Sequence, residues 1–405
     1  MEHGTPRIDF DRLTQSSDGD AIDSLPPGET RPWLQATFWS LIAWGLMRVV
    51  LSAWGFAVWY FRWLPSVDSA GYTFGVPAIT EGWAAPLWGI WSRWDAIHFI
   101  RIASSGYESD MLSAFFPLYP TLARILHGLT GLAPSLGLLL ISNLSLIFAL
   151  MLLYLETQSI AGAPSARRAV FIAVIFPGAF FFFAPYPHSL ALLLTLFAFR
   201  QARNGRWIWS ALAGILAGLT SGWVFFFSIL IAWVSIRRQP REWLGAAVAS
   251  LAPAAGTACF LLLRTWQDFP PLSTVLLENW GRTIQPPWQT LMEMPRIVFS
   301  PFIVISGWIN LLVLALLLFT TIIMIHRLPI PFVVFQAAML LLFFFCSTPY
   351  EPLSGLLRFA LMLFPQFIAL AIWADTRPRQ MAGLLIAGIL QLYTSALYIG
   401  WIWVA

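Results

Sequence analysis

Apolar residues fall in ten long runs, at roughly 36–61, 133–155, 167–185, 187–203, 207–236, 241–263, 301–325, 329–347, 355–374 and 380–404. Most approach the ~20 residues that a helix needs to cross a bilayer, so the pattern predicts an all-α polytopic membrane protein with about 10–11 transmembrane helices. Arginine decides the orientation. With the N-terminus inside, Arg7, Arg12, Arg31, Arg167, Arg168, Arg200, Arg203, Arg206, Arg237, Arg238, Arg241, Arg327, Arg377 and Arg379 all fall on the cytoplasmic side, as the positive-inside rule requires. Keeping Arg200–Arg206 and Arg237–Arg241 on one side makes the run 207–236 a hairpin, broken at Leu219-Thr220-Ser221-Gly222. The alternative is a single long tilted helix. A hairpin turn at membrane depth must be buried in protein or face a cavity.

This topology divides the chain into a polar, disordered cytoplasmic tail at 1–35 and a transmembrane domain at 36–404. Two large external loops, 62–132 and 264–300, carry most of the polar and aromatic residues outside the spans, with shorter outer segments near Pro185–His188 and at 348–355. The first apolar run is too long for a cleavable signal, so none is expected.

Composition agrees with the membrane reading: 59% of the 405 residues are hydrophobic and 10% are charged, against about 25% charged in soluble domains. The net charge of +4 marks a membrane face, and no nucleic-acid partner is expected. Cys259 and Cys346 lie in apolar runs without metal-ligand spacing, so neither a disulfide framework nor a metal site is indicated. No HExxH, Walker, GxSxG or DxD-type pattern is present, which argues against zincins, P-loop ATPases and metal-dependent nucleotide-sugar enzymes.

Candidate chemistry concentrates at Trp91-Ser92-Arg93-Trp94-Asp95-Ala96-Ile97-His98-Phe99. A helix beginning near Asp95 would set its carboxylate in the first turn, where the helix dipole favours the anion, with His98 one turn along. Such a carboxylate can take the proton of an attacking hydroxyl, as sugar transfer from a phosphate leaving group requires. Arg358 stands two or three residues inside an apolar span and needs a partner. The partner is either a lipid phosphate, which suits the planar guanidinium fork, or a structural acid such as Glu351 or Asp95. Trp280-Gly281-Arg282 in the second loop is an interface anchor or a sugar-stacking element. His188, after Tyr186-Pro187, reads first as a structural histidine.

Arg93-Trp94-Asp95-Ala96-Ile97-His98-Phe99, then Gly106-Tyr107, then Ala114-Phe115-Phe116-Pro117-Leu118-Tyr119-Pro120 resemble the signature of the PIG-V mannosyltransferase family. Weaker likeness runs through Phe176-Pro177-Gly178, Gly205-Arg206, Trp280-Gly281-Arg282 and Ser354–Arg358, so the resemblance covers about 36–375. It implies a GT-C glycosyltransferase fold, a polyprenyl-phosphate mannose donor, a glycolipid or glycan acceptor, and inversion on the extracytoplasmic side of a cell membrane. Asp95 matches the family's catalytic acid. Substrate contacts are expected from His98, Asp110, Arg93, Arg358, Arg282, Trp280, Tyr119 and His188, with no cofactor or metal ligand assigned. The chain departs from the family at His188 and at Ser221, where relatives tend to carry an acid and an arginine. Other readings are a GT-C transferase for another lipid-linked sugar, a glycolipid transporter, and a non-catalytic membrane subunit that works with an accessory partner.

Overall fold

The computed structural model describes residues 32–61, 76, 82–236, 238–299, 305–348 and 351–404. The expected tail, apart from the start of the first helix, and much of the early part of the first loop lie outside these residues. The principal helices are α1 (Pro32–Phe61), α2 (Asp95–Ser105), α3 (Leu118–Thr130), α4 (Pro134–Ile175), α5 (His188–Arg203), α6 (Trp207–Gly218), α7 (Ser228–Ile236), α8 (Trp243–Trp266), α9 (Leu272–Trp280), α10 (Pro287–Glu293), α11 (Ile305–Arg327), α12 (Ile330–Phe345), α13 (Phe364–Trp373) and α14 (Arg377–Ile399). A two-residue antiparallel ladder pairs β1 (Thr283–Ile284) with β2 (Cys346–Ser347). It ties the second external loop to the segment ahead of Arg358.

The fold is all-α, and every apolar run has its helical counterpart. By length and composition, five of the described helices are able to cross a membrane. They become six if the turn Leu356–Met362 and α13, bent by 82°, form one span. This is fewer than the 10–11 expected, because several runs are short or broken helices. The runs 133–155 and 167–185 form the two arms of α4, which breaks at Gly162, ahead of Pro164. Tyr154 on one arm donates to Gln35, and Phe171 on the other packs edge-on against Trp39. Both arms therefore return to the first turns of α1.

The run 207–236 turns back at Leu219–Ser221, as the hairpin expectation requires. Its two ends meet again where Arg238 donates to the Arg203 carbonyl and Trp207 Nε1 lies 3.1 Å from Glu242. Small residues let α6 and α8 cross at backbone contact. A Cβ at Gly218 would lie 2.2 Å from the Pro253 carbonyl oxygen, and one at Gly256 would lie 2.2 Å from that of Ile215. Close approach of this kind replaces the hydrophobic drive that helices lack inside lipid.

The charges separate along α1. Near its start, Arg200 sits over Trp33 and Arg167 over Trp39. Arg200 and Arg203 both bond to Glu156, which is fully buried. Near its end, Gly55 packs against Ile90 and Trp91, the residues that lead to Asp95. Thirty residues of helix, about 45 Å at 1.5 Å per residue, connect the two faces.

Candidate active site

Asp95 is the first residue of α2, as the spacing predicts, and Trp94 caps it with φ 55° and ψ −131°. A bulky residue at positive φ is strained and persists only where packing enforces it. Trp401 and Trp403 supply that packing, with ring centroids 5.5 and 5.1 Å from Trp94. The hydroxyl of Tyr398 lies 2.8 and 3.0 Å from the Trp91 and Arg93 carbonyls and fixes the same turn from α14. The end of the described chain thus holds the turn before Asp95 in place, a contact between residues some 300 apart that no local pattern announces.

Asp95 opens onto a cavity of about 770 Å³, within the usual range for small-molecule sites. Arg358 donates to the Asp95 carboxylate, both side chains being nearly buried. Of the two partner types open for Arg358, the structure supplies the acid. Arg282 lines the same cavity, anchored 2.9 Å from the Ser354 carbonyl oxygen. Gly355 makes that position available: its φ is +91°, and a Cβ there would lie 2.9 Å from Arg282 Nη2 and from the Phe359 ring.

The electrostatics follow from this crowding. Burial alone would raise the Asp95 carboxyl, but the charges of Arg358, His98 and Arg282 outweigh it and hold the group below its ordinary value. Burial, with Arg358 alongside, lowers Arg282 to about 10. Burial raises Glu351, although hydrogen bonds from Ser306, Ser354 and Asn310 and the charge of Arg282 oppose it. Two guanidinium groups and one carboxylate leave the wall with one excess positive charge.

Four further candidates, Arg358, Arg282, Trp280 and His188, join Asp95 in the wall. His188 is 4% exposed, and its Nδ1 has no hydrogen-bond partner among the described residues. Trp280 meets the edge of Phe115 at 5.8 Å. The other four stand outside the wall. Arg93 turns away to lie over Trp401 at 4.9 Å, and its backbone carbonyl is what the site uses. His98 is buried beside Phe115, 5.0 Å between centroids, one turn behind Asp95. Asp110 is exposed at the start of a 3₁₀ turn. Tyr119 is fully buried, its hydroxyl 2.9 Å from the Leu138 carbonyl and 2.7 Å from Ser142.

Of the remaining residues at the site, three belong to the break that the sequence marked, and Trp223 and Trp403 escaped the sequence reading. Trp223 stacks on Phe343 at 4.6 Å and meets Phe359 at 4.7 Å, giving the cavity an aromatic side. Thr220, Ser221 and Gly222, the break in the hairpin, face the same space, which is where irregular backbone at membrane depth is tolerated. The break itself was the available signal. Trp403, 5.4 Å from the Arg358 guanidinium, had none. Among the described residues no cluster of three or more His, Cys, Asp or Glu side chains is placed to hold a metal ion.

Residues 72–238 match the sequence profile of the mannosyltransferase (PIG-V) family, a stretch that contains the whole 93–120 motif. GPI alpha-1,6-mannosyltransferase 2 of Cricetulus griseus is 34% identical over 159 residues, 36% of this chain and 30% of that protein. The Homo sapiens protein of the same name is 33% identical over 157 residues, again 36% and 30%. The match therefore spans less than a third of these relatives. Among solved structures, the Archaeoglobus fulgidus oligosaccharyltransferase aligns with 70% of this chain and 44% of its own, at 15% identity and a TM-score of 0.37. That likeness is too distant to bear on either fold or chemistry. On the profile and its relatives, residues 72–238 are similar to the PIG-V mannosyltransferase family.

Proposed function

We propose that the cavity beside Asp95 transfers mannose from a polyprenyl-phosphate mannose to a hydroxyl of a glycolipid or glycan acceptor, with inversion, in a GT-C-type membrane enzyme. The observation that carries this reading is the Asp95–Arg358 ion pair at the cavity wall with Arg282 beside it. One carboxylate matches the single proton that must leave the acceptor. Two arginines match the one phosphate that must leave the donor, and the planar guanidinium group suits phosphate oxygens.

The resting pair also supports an order of events. A carboxylate clamped by Arg358 is a weak base. The donor phosphate competes for Arg358 and, with Arg282, draws it off the acid. Asp95 then accepts the proton as the acceptor oxygen attacks the anomeric carbon. The bond from that carbon to the phosphate oxygen breaks, and the arginines hold the departing charge. The aromatic side formed by Trp223, Phe359 and Trp280 offers faces for a sugar ring and for isoprenoid carbon.

Separation of the arginine-rich face from the cavity along α1 supports a cytoplasmic N-terminus and an extracytoplasmic site. No nucleotide sugar is available on that side, and a lipid-linked donor meets the requirement. The test is transfer from radiolabelled polyprenyl-phosphate mannose by the purified chain in liposomes, with Arg282→Gln and Arg358→Gln measured separately. Both substitutions should raise the donor KM. Unchanged donor KM in both would remove the phosphate role.

A further inference from the structure

We propose that the groove between α4, α11, α13 and α14 is a second lipid site, which takes one anionic glycerophospholipid of the surrounding bilayer. This groove, about 510 Å³, shares no lining residue with the cavity at Asp95. α13 separates the two: the cavity reaches Met362, just before it, and the groove reaches Trp373 at its far end.

The polarity of the groove is one-sided. Arg167, Arg168, Arg379 and Gln380 meet at one end, and the walls beyond them are apolar as far as Thr394. Arg168 donates to the Ala371 carbonyl at 2.7 Å, and Arg379 reaches the Trp373 carbonyl at 3.2 Å. Both guanidinium groups are thus held over the last turn of α13. Asp375, 2.8 Å from Arg379, is the acid paired within this end. Three arginines against one acid leave two positive charges for an anionic head.

The length fits one leaflet. From Phe319, packed edge-on against Trp373 at the arginine end, to Ile309 at the other, α11 rises about 15 Å. That is half of a hydrocarbon core about 30 Å thick. The groove also opens sideways to the bilayer, since its wall residues Leu312 and Ile386 remain more than half exposed. A phosphate with an acyl chain beneath it satisfies charge, depth and access together, while a zwitterionic head would meet its own positive group at the arginines.

The full chain would be reconstituted in nanodiscs containing phosphatidylglycerol or phosphatidylcholine, extracted in mild detergent, and its retained lipid counted by native mass spectrometry. One phosphatidylglycerol should remain on the wild type and phosphatidylcholine should not. Arg379→Gln and Arg167→Gln, both at exposed positions, should each lower retention about five-fold, the worth of one arginine near an anionic headgroup. Gly383→Trp, at a groove position where a Cβ meets nothing within 4 Å, should abolish retention while leaving every arginine in place. Arg124→Gln, exposed near Gly106, should leave it unchanged. Equal retention of both lipids, or retention unaffected by the arginine substitutions or by Gly383→Trp, would overturn the proposal.

Discussion

Removal of either partner of the Asp95–Arg358 pair tests how the site is held together, and the two removals should differ. Both side chains are nearly buried, and breaking such a pair from one side typically costs about 3–5 kcal/mol because a buried charge loses its partner. In Arg358→Gln the stranded carboxylate still has Arg282 and His98 nearby, so the cost should fall at or below the lower end. In Asp95→Asn, Arg358 faces Arg282 with no acid between them, and Arg282 is already lowered to about 10 by burial and by Arg358. That variant should be the less stable of the two. The double variant Asp95→Asn/Arg358→Gln removes both charges and should recover about 1–3 kcal/mol relative to the sum of the single losses. The assay is thermal unfolding in detergent by tryptophan fluorescence, run as a double-mutant cycle. Additivity within about 0.5 kcal/mol, or a less stable Arg358→Gln, would mean that the two charges are not coupled in this way.

The acid limb of the pH–rate profile tests the same pair: Asp95 sits below its ordinary value, so the deprotonated base should persist below the usual carboxylate range, while the pair's contribution to stability, full above that range, should be lost progressively as pH falls from it through the native value. In Arg358→Gln, burial is opposed only by Arg282 and His98, and that limb should move to higher pH; an unmoved limb means that another group governs it. Gly355→Ala should destabilise the chain by about 1–2 kcal/mol through its left-handed backbone and raise the donor KM by displacing Arg282; an unchanged KM would contradict the placement of Arg282. Gly256→Leu should prevent the α6–α8 crossing, where even a Cβ meets the Ile215 carbonyl at 2.2 Å, and abolish a monodisperse peak in gel filtration. Glu156→Gln, which leaves Arg200 and Arg203 without their shared acid, should lower the melting temperature by more than any surface substitution on that face; wild-type stability would show that the cluster is not structural.

Helix content and the position of Asp95 were legible from local pattern because each rests on local physics. Apolar runs report burial or lipid, and a helix beginning at Asp95 follows from the residues around it. The Leu219–Gly222 break was legible for the same reason. Span length was not, since the 82° bend before Phe364 falls inside one unbroken apolar run. In the site, Arg358 betrayed itself as a charge in an apolar run, and the structure chose between its two expected partners. Arg93 and His98 share a motif with Asp95 but turn toward Trp401 and Phe115. Arg93 precedes the helix start, and His98, on the same helical face as Asp95, is set one turn back from the cavity. Trp403 and Trp223 reach the site only through tertiary contact and carry no signal of their own.

Asp95 as the acceptor of the incoming hydroxyl's proton is tested most simply by mannose transfer with Asp95→Asn in liposomes supplied with polyprenyl-phosphate mannose and acceptor. Folding is to be confirmed by gel filtration, and donor binding is to be measured alongside. Turnover should fall about 10²-fold or more with the donor still bound, because Arg358 is then freed for its phosphate. Turnover near that of the wild type, in a folded Asp95→Asn protein, would contradict that role.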